Sequence, residues 1–246
     1  MLRTKPTILA IVLALCGISV ANAAVVIGGT RVVFPAQTRD VSLRLENKGG
    51  DPALVQVWVD DGDERSTPTS AHAPFAITPP VFRIDPGNGH ALRIVHVGDD
   101  VPRDKEVLYW LNVLEIPPKA SDAESKNVLQ FAFRHRLKLL HRPKDLPSSP
   151  DRAVATLRWS IEQGVDGASL KVVNPSPYHV SFNAVDLHTS EGAGSPVSLG
   201  GGMVAPGASL GFPLSKDRDS FDTAKVDFVT INDFGATVRG SAAVDR

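Results

Sequence analysis

A chain of 246 residues with a formal net charge of −1 lacks the basic surface that nucleic acid would demand, and one cysteine cannot form a disulfide framework. Beyond the first two dozen residues, no apolar run approaches the length needed to cross a bilayer. Stability must therefore come from packed core, and the length suffices for one large domain or two ordinary ones.

The chain opens with Arg3 and Lys5, followed by an apolar stretch at 8–20. Ala21-Asn22-Ala23 then supplies the small-x-small pattern read by signal peptidase, which predicts export and cleavage between Ala23 and Ala24. A lipid anchor on Cys16 would need a small residue before it, where Leu15 stands. Loss of 1–23 as a signal peptide removes Cys16, takes the formal charge to −3 and leaves 223 residues.

Segments 25–27, 31–34 and 41–47 read as strands, the last with period-two alternation, and 53–59 follows a Gly-Gly-Asp-Pro turn. The stretch 75–84 is interrupted by Pro79-Pro80, which belongs at a sheet edge or a kink. Strands follow at 91–97 and 107–116, the second stopped by Pro117-Pro118. The polar run 119–126 reads as a loop, and 128–140 as one long strand. Residues 143–152 are rich in proline and serine and form the best linker. Beyond it, strands are expected at 153–159, 169–173, 179–187, 196–199, 209–213, 225–231 and 237–240, with Gly200-Gly201-Gly202 as a flexible turn. No segment has the period of a useful amphipathic helix. Short strands at this spacing indicate an all-β chain of two sandwiches, 24–146 and 147–246.

No catalytic constellation accompanies this pattern. There is no Gly-x-Ser-x-Gly elbow, phosphate loop or dinucleotide fingerprint. Histidines 72, 90, 96, 135, 141, 179 and 188 are scattered, without spacing that would place two on one metal site, and most read as surface residues. No cofactor is implied, and a binding protein is expected rather than an enzyme.

Two stretches go further than fold class. Residues 101–118 run from a charged turn through Glu106, the aromatic pair Tyr109-Trp110 and Asn112 into Pro117-Pro118. Residues 127–133 (NVLQFAF) lead into 136–143 (RLKLLHRP). Both resemble signature segments of the PapD-like periplasmic pilus chaperones of the chaperone–usher pathway. Weaker similarities lie at 29–33, 77–80, 85–87, 174–178 and 231–235, in the same order along the whole mature chain. Val107 departs from that pattern, where a small hydroxyl residue or arginine is usual. His141 stands in place of a usual tyrosine or phenylalanine.

The resemblance implies two immunoglobulin-like sandwiches set in an L, with a binding cleft between them and a periplasmic location. It implies pilus subunits and an outer-membrane usher as partners, with neither nucleic acid nor membrane embedding, and a short-loop subfamily given the brief run 119–126. Leu129, Phe131 and Phe133 fall on one face of their segment. By periodicity alone that is a strand facing its own core; by resemblance it is the strand lent to an incomplete subunit. Arg31 and Lys138 would hold the subunit's C-terminal carboxylate, guanidinium forking onto it and ammonium adding a point charge. Lys138 lies nine positions from Leu129, so serving both roles predicts a bulge near 134–137. Glu106, Arg142 and Asp233 match an interdomain ion-pair cluster. An apolar edge strand left unoccupied also predicts self-association of the free protein, with Pro79-Pro80 as a possible shield. The competing reading is a secreted fibre subunit or adhesin, which would carry one incomplete sandwich rather than two whole ones.

Overall fold

The computed structural model describes residues 24–98, 101–119, 129–164, 167–188, 196–214 and 225–245; the expected signal peptide and most of the expected loop 119–126 lie outside them. The first half of the chain forms β1 (Val25–Ile27), β2 (Arg31–Pro35), β3 (Asp40–Asn47), β4 (Ala53–Asp60), β5 (Phe75–Thr78), β6 (Val81–Ile84), β7 (Gly89–His96), β8 (Val107–Ile116) and β9 (Phe133–Arg142). These make a four-stranded sheet, β1-β3-β7-β5, and a five-stranded sheet, β2-β9-β8-β4-β6. Alternation drives the layering: Leu43 and Leu45 of β3, Leu92 and Ile94 of β7, Leu111 and Val113 of β8, and Leu137 and Leu139 of β9 point into one shared core. Pro79-Pro80 sits where the chain leaves β5 on one sheet and enters β6 on the other. Both strands are edges, where a missing donor is tolerated.

The second half holds a short helix, α1 (Pro150–Ala155), then β10 (Arg158–Gly164), β11 (Gly167–Val173), β12 (Val180–His188), β13 (Val197–Ser198), β14 (Gly202–Val204), β15 (Ser209–Pro213), β16 (Lys225–Ile231) and β17 (Thr237–Ala243). Its sheets are β10-β11-β15 and β13-β12-β16-β17, with β14 also on β12. Trp159 anchors this core, 5.4–5.5 Å in ring centroid from Phe228 and Phe182.

Four expectations need correction. The strand expected at 128–140 begins only at Phe133, so Leu129 and Phe131 precede it, outside any ladder. The strand expected from 153 is preceded by helix α1, which starts inside the expected linker. Ser149 caps it by accepting from the Arg152 amide at 3.4 Å, Pro150 occupies its first turn, and Asp151 complements the helix dipole. Gly202 is not merely a turn residue but opens β14. No bulge interrupts β9, whose pairing with β8 runs unbroken from Val107↔His141 to Glu115↔Phe133. The two roles read for this strand fall on opposite faces: Leu137 and Leu139 point to the core, while Lys138 points away from it.

Candidate functional site

Strand β2 pairs with β9 in parallel, and its first residue, Arg31, lies directly beside Lys138. The two cations meet the second half of the chain. Arg31 Nη1 donates to the Ile231 carbonyl of β16 at 3.1 Å, and Lys138 Nζ donates to Ser181 Oγ of β12 at 2.8 Å. Neither pairs with a carboxylate among the described residues, and Arg31 Nε is buried without a partner. Burial, with a further contribution from Arg31, pushes the Lys138 ammonium down to about 8. Burial also lowers Arg31, only partly countered by the more distant Asp233 and Glu106. Two positive charges on neighbouring strands thus sit side by side, half withdrawn from water and without a counter-ion among the described residues, a setting in which an added anion would be favourable.

Four residues further along β9, the opposite situation holds. Arg142 Nε donates to Glu106 Oε1 at 2.6 Å, and its two terminal nitrogens fork onto Asp233 at 2.6 and 2.8 Å. The Glu106 carboxylate is fully buried, and its other oxygen accepts from the His179 amide at 2.8 Å. The Glu106 amide donates to the Pro177 carbonyl at 2.9 Å, and the guanidinium lies 5.3 Å from the Tyr178 ring centre. Burial alone would lower Arg142, but Asp233 and Glu106 outweigh it and drive its pKa upward. Glu106, Arg142 and Asp233 thus come together and tie the first sandwich to the β12 and β16 ends of the second.

Because β2 begins beside Lys138, residues 133–137 of β9 are paired with β8 alone, and their other edge carries open backbone groups. Leading into this open edge are Leu129, Phe131 and Phe133, 77%, 60% and 41% exposed. An apolar row thus leads into an unpaired strand edge, and two adjacent cations stand at the far end of that edge; open edges of this kind can accept an added strand.

Residues 24–147 match the family model described as the pili and flagellar-assembly chaperone PapD N-terminal domain, and residues 152–242 match the PapD C-terminal domain. The chain belongs to the PapD-like family of pilus-assembly chaperones. It is 41% identical over 221 residues to a probable fimbrial chaperone of Escherichia coli, YadV, covering 89% of each. It superposes on the CupB2 chaperone of Pseudomonas aeruginosa with a TM-score of 0.75, at 38% identity over 89% of this chain and 100% of that one. It also superposes on the structure of the Salmonella enterica SafA pilin in complex with the SafB chaperone, with a TM-score of 0.73, at 28% identity over 92% of this chain and 98% of that one.

This chaperone has a further charged network that sequence reading missed. Asp60, fully buried at the end of β4, accepts from Arg136 at 2.6 Å, Asn112 at 2.7 Å, the Gly62 amide at 2.8 Å and Ser66 at 3.0 Å. Burial alone would raise this carboxyl, but these four donors outweigh it and hold it below the usual range. Arg134 forks onto Asn112 Oδ1 at 2.7 and 2.9 Å and donates to the Glu64 carbonyl at 2.8 Å. Arg134 and Arg136 cover the Trp58 and Trp110 rings at 4.8 and 4.5 Å. The network binds the open half of β9 to the loop after β4, on the face that carries Lys138. Strand registers bring these residues together; the only sequence signal was the even spacing of Arg134, Arg136 and Lys138.

The reading of most histidines as surface residues needs correction. His141 is buried, and its ring lies 4.8 Å from that of His96 and 5.9 Å from Phe34, so two of the seven do meet. Burial, then the neighbouring His96, pushes His141 down to about 4. His179 places a side chain that is only 7% exposed at the interdomain cluster. A neutral imidazole fills the place of an aromatic ring at His141, and Val107 is its partner across the ladder.

Proposed function

We propose that this chain is a periplasmic chaperone that completes the fold of pilus subunits with residues 129–137 and holds their C-terminal carboxylate between Arg31 and Lys138. The observation that carries this reading is the pair of adjacent, counter-ion-free cations at the end of a one-sided strand edge. Leu129, Phe131 and Phe133 would enter the subunit's open core, each contributing about 1.5–3 kcal/mol on burial. Anchoring the carboxylate fixes the register of everything that adds to the edge. Glu106, Arg142 and Asp233 would set the angle between sandwiches 24–146 and 147–246, and so the shape of the cleft.

In this reading the leader 1–23 directs export and is removed between Ala23 and Ala24, and bound subunits pass to an outer-membrane usher. Release comes when a better-fitting strand from the next subunit replaces the chaperone's, without nucleotide or metal. The free edge would pair with a second copy when no subunit is present. The names of the relatives favour this reading over a fibre subunit or adhesin.

The test is a periplasmic pull-down from the source bacterium, with tagged wild type beside Lys138→Ala and mass-spectrometric identification of what is retained. Small β-rich secreted subunits with the wild type, lost with the variant, are expected. Full retention by the variant would remove the anchor assignment, and recovery of fibres containing the tagged chain itself would favour the subunit reading.

A further inference from the structure

Glu115, near the end of β8, is 96% buried, yet its carboxylate accepts hydrogen bonds from no cationic side chain among the described residues, in contrast to Glu106 and Asp60. Its described partners are two backbone nitrogens: Ala24 at 3.1 Å from Oε1 and Val25 at 3.2 Å from Oε2. A buried charge met only by neutral amides is expensive to hold. Ala24 is fixed in place from the other side as well. Its carbonyl accepts from the Lys48 amide at 2.7 Å, Val25 is in register with Asn47, and a Cβ at Gly49 would come within 2.5 Å of the Ala24 side chain. The Ala24 nitrogen is therefore held against a buried carboxylate that lacks a counter-charge.

Ala24 is also the residue that follows the expected cleavage point. Hydrolysis of the Ala23–Ala24 peptide bond by signal peptidase and water leaves a carboxylate on Ala23, which departs with the leader. It leaves an amine on Ala24, which takes up a proton near neutral pH. We propose that removal of the leader completes a buried ion pair between the new Ala24 α-ammonium and Glu115, so that the chaperone reaches full stability only after processing. The pair forms a brace between the two sheets of the first sandwich, because Ala24 leads into β1 while Glu115 sits on β8 opposite Phe133. It therefore firms the corner where the open half of β9 begins. The proposal rests on cleavage between Ala23 and Ala24, and its test separates the two.

Other titratable or charged groups on the surrounding elements are Glu46 and Lys48, which pair with each other, Arg44 on β3, Asp51 in the following turn, Arg83 on β6, His90 on β7, which stacks on Phe82, and Arg134 and His135 on β9. A folded-state pKa raised above the usual α-amine value of about 8 gives stability that is complete below that value and lost as pH rises through the raised one.

The experiment compares the chain beginning at Ala24 with one retaining Ala21, Asn22 and Ala23, each with Glu115 and with Glu115→Gln, by thermal unfolding from about pH 6 to pH 10. The expected result is a Tm roughly 4 °C higher for the chain beginning at Ala24 at neutral pH. That difference should vanish in alkali and be absent between the two Glu115→Gln chains. Equal Tm values across the pH range, or a difference that survives Glu115→Gln, would overturn the proposal. If Glu115→Gln does not fold, the α-amine pKa of the otherwise native chain decides by NMR: a value raised above about 8 supports the pair and an ordinary one refutes it. The N-terminal sequence of the periplasmic protein separately decides the cleavage point. Any start other than Ala24 overturns the link to processing whatever the unfolding data show.

Discussion

Two cationic sites on one face of β9, four residues apart, are treated in opposite ways. At Arg142 every guanidinium direction that reaches the interface meets a carboxylate, one of them fully buried. At Lys138 the ammonium meets one hydroxyl and a neighbouring cation. Saturated charge in a low-dielectric junction fixes geometry, because any other arrangement leaves a charge unpaired. Unsaturated charge at the same junction is held at a cost in stability that an arriving anion would relieve. In the proposed reading the saturated site is scaffold and the unsaturated one receives the subunit.

Breaking the saturated site should have the largest effect. Arg142→Ala leaves buried Glu106 without its cation and should cost about 3–5 kcal/mol, read by urea unfolding, with small-angle scattering reporting a broadened interdomain geometry. The unsaturated site should respond in the opposite direction. Lys138→Met should leave stability unchanged or raise it by roughly 1 kcal/mol, while subunit affinity falls about a hundredfold, measured by calorimetry on the same preparations. A variant that lost both together would mean that Lys138 is structural after all.

The pH dependence sharpens the same comparison. Burial and Arg31 depress the free Lys138 pKa to about 8, and a bound carboxylate would raise it. Binding therefore takes up a proton above that value, and affinity should fall by up to about tenfold per unit as pH rises past 8, with little change between 6 and 7. Flat affinity across this range would contradict a charged Lys138 in the complex. The smallest effect is expected at His141, next to Arg142. Its folded pKa is depressed below the unfolded value, so stability present above about pH 6.5 is lost as pH falls toward 4. His141→Phe should remove roughly 1 kcal/mol of that acid sensitivity at about pH 5 and change little near pH 7, seen as a narrowed Tm difference between the two.

What could be read in advance followed from local chemistry. Alternation along 41–47 and 107–116 marked the sandwich strands, and Pro79-Pro80 marked an edge, since both effects act over a few residues. The juxtapositions of Arg31 with Lys138 and of Glu106, Arg142 and Asp233 were suggested by family resemblance alone, since lone charges carry no local pattern. The start of β9 was misread because Leu129 and Phe131 alternate as strand residues do, while no neighbouring strand among the described residues pairs with them. The Asp60 network and the His96–His141 contact stayed hidden for another reason. Their members stand far apart along the chain and meet only through the β4–β8–β9 register and core packing. The helix α1 was signalled by Ser149-Pro150-Asp151, but the surrounding prolines favoured a linker.

The central claim is that Arg31 and Lys138 receive a chain-terminal carboxylate. Its most direct test is the affinity of a synthetic peptide copying the last residues of the subunit recovered in the pull-down, prepared once as the free acid and once as the C-terminal amide. The account predicts that the free acid binds at least about tenfold more tightly and that Lys138→Ala abolishes the difference. Equal binding of acid and amide to the wild-type chain would contradict it.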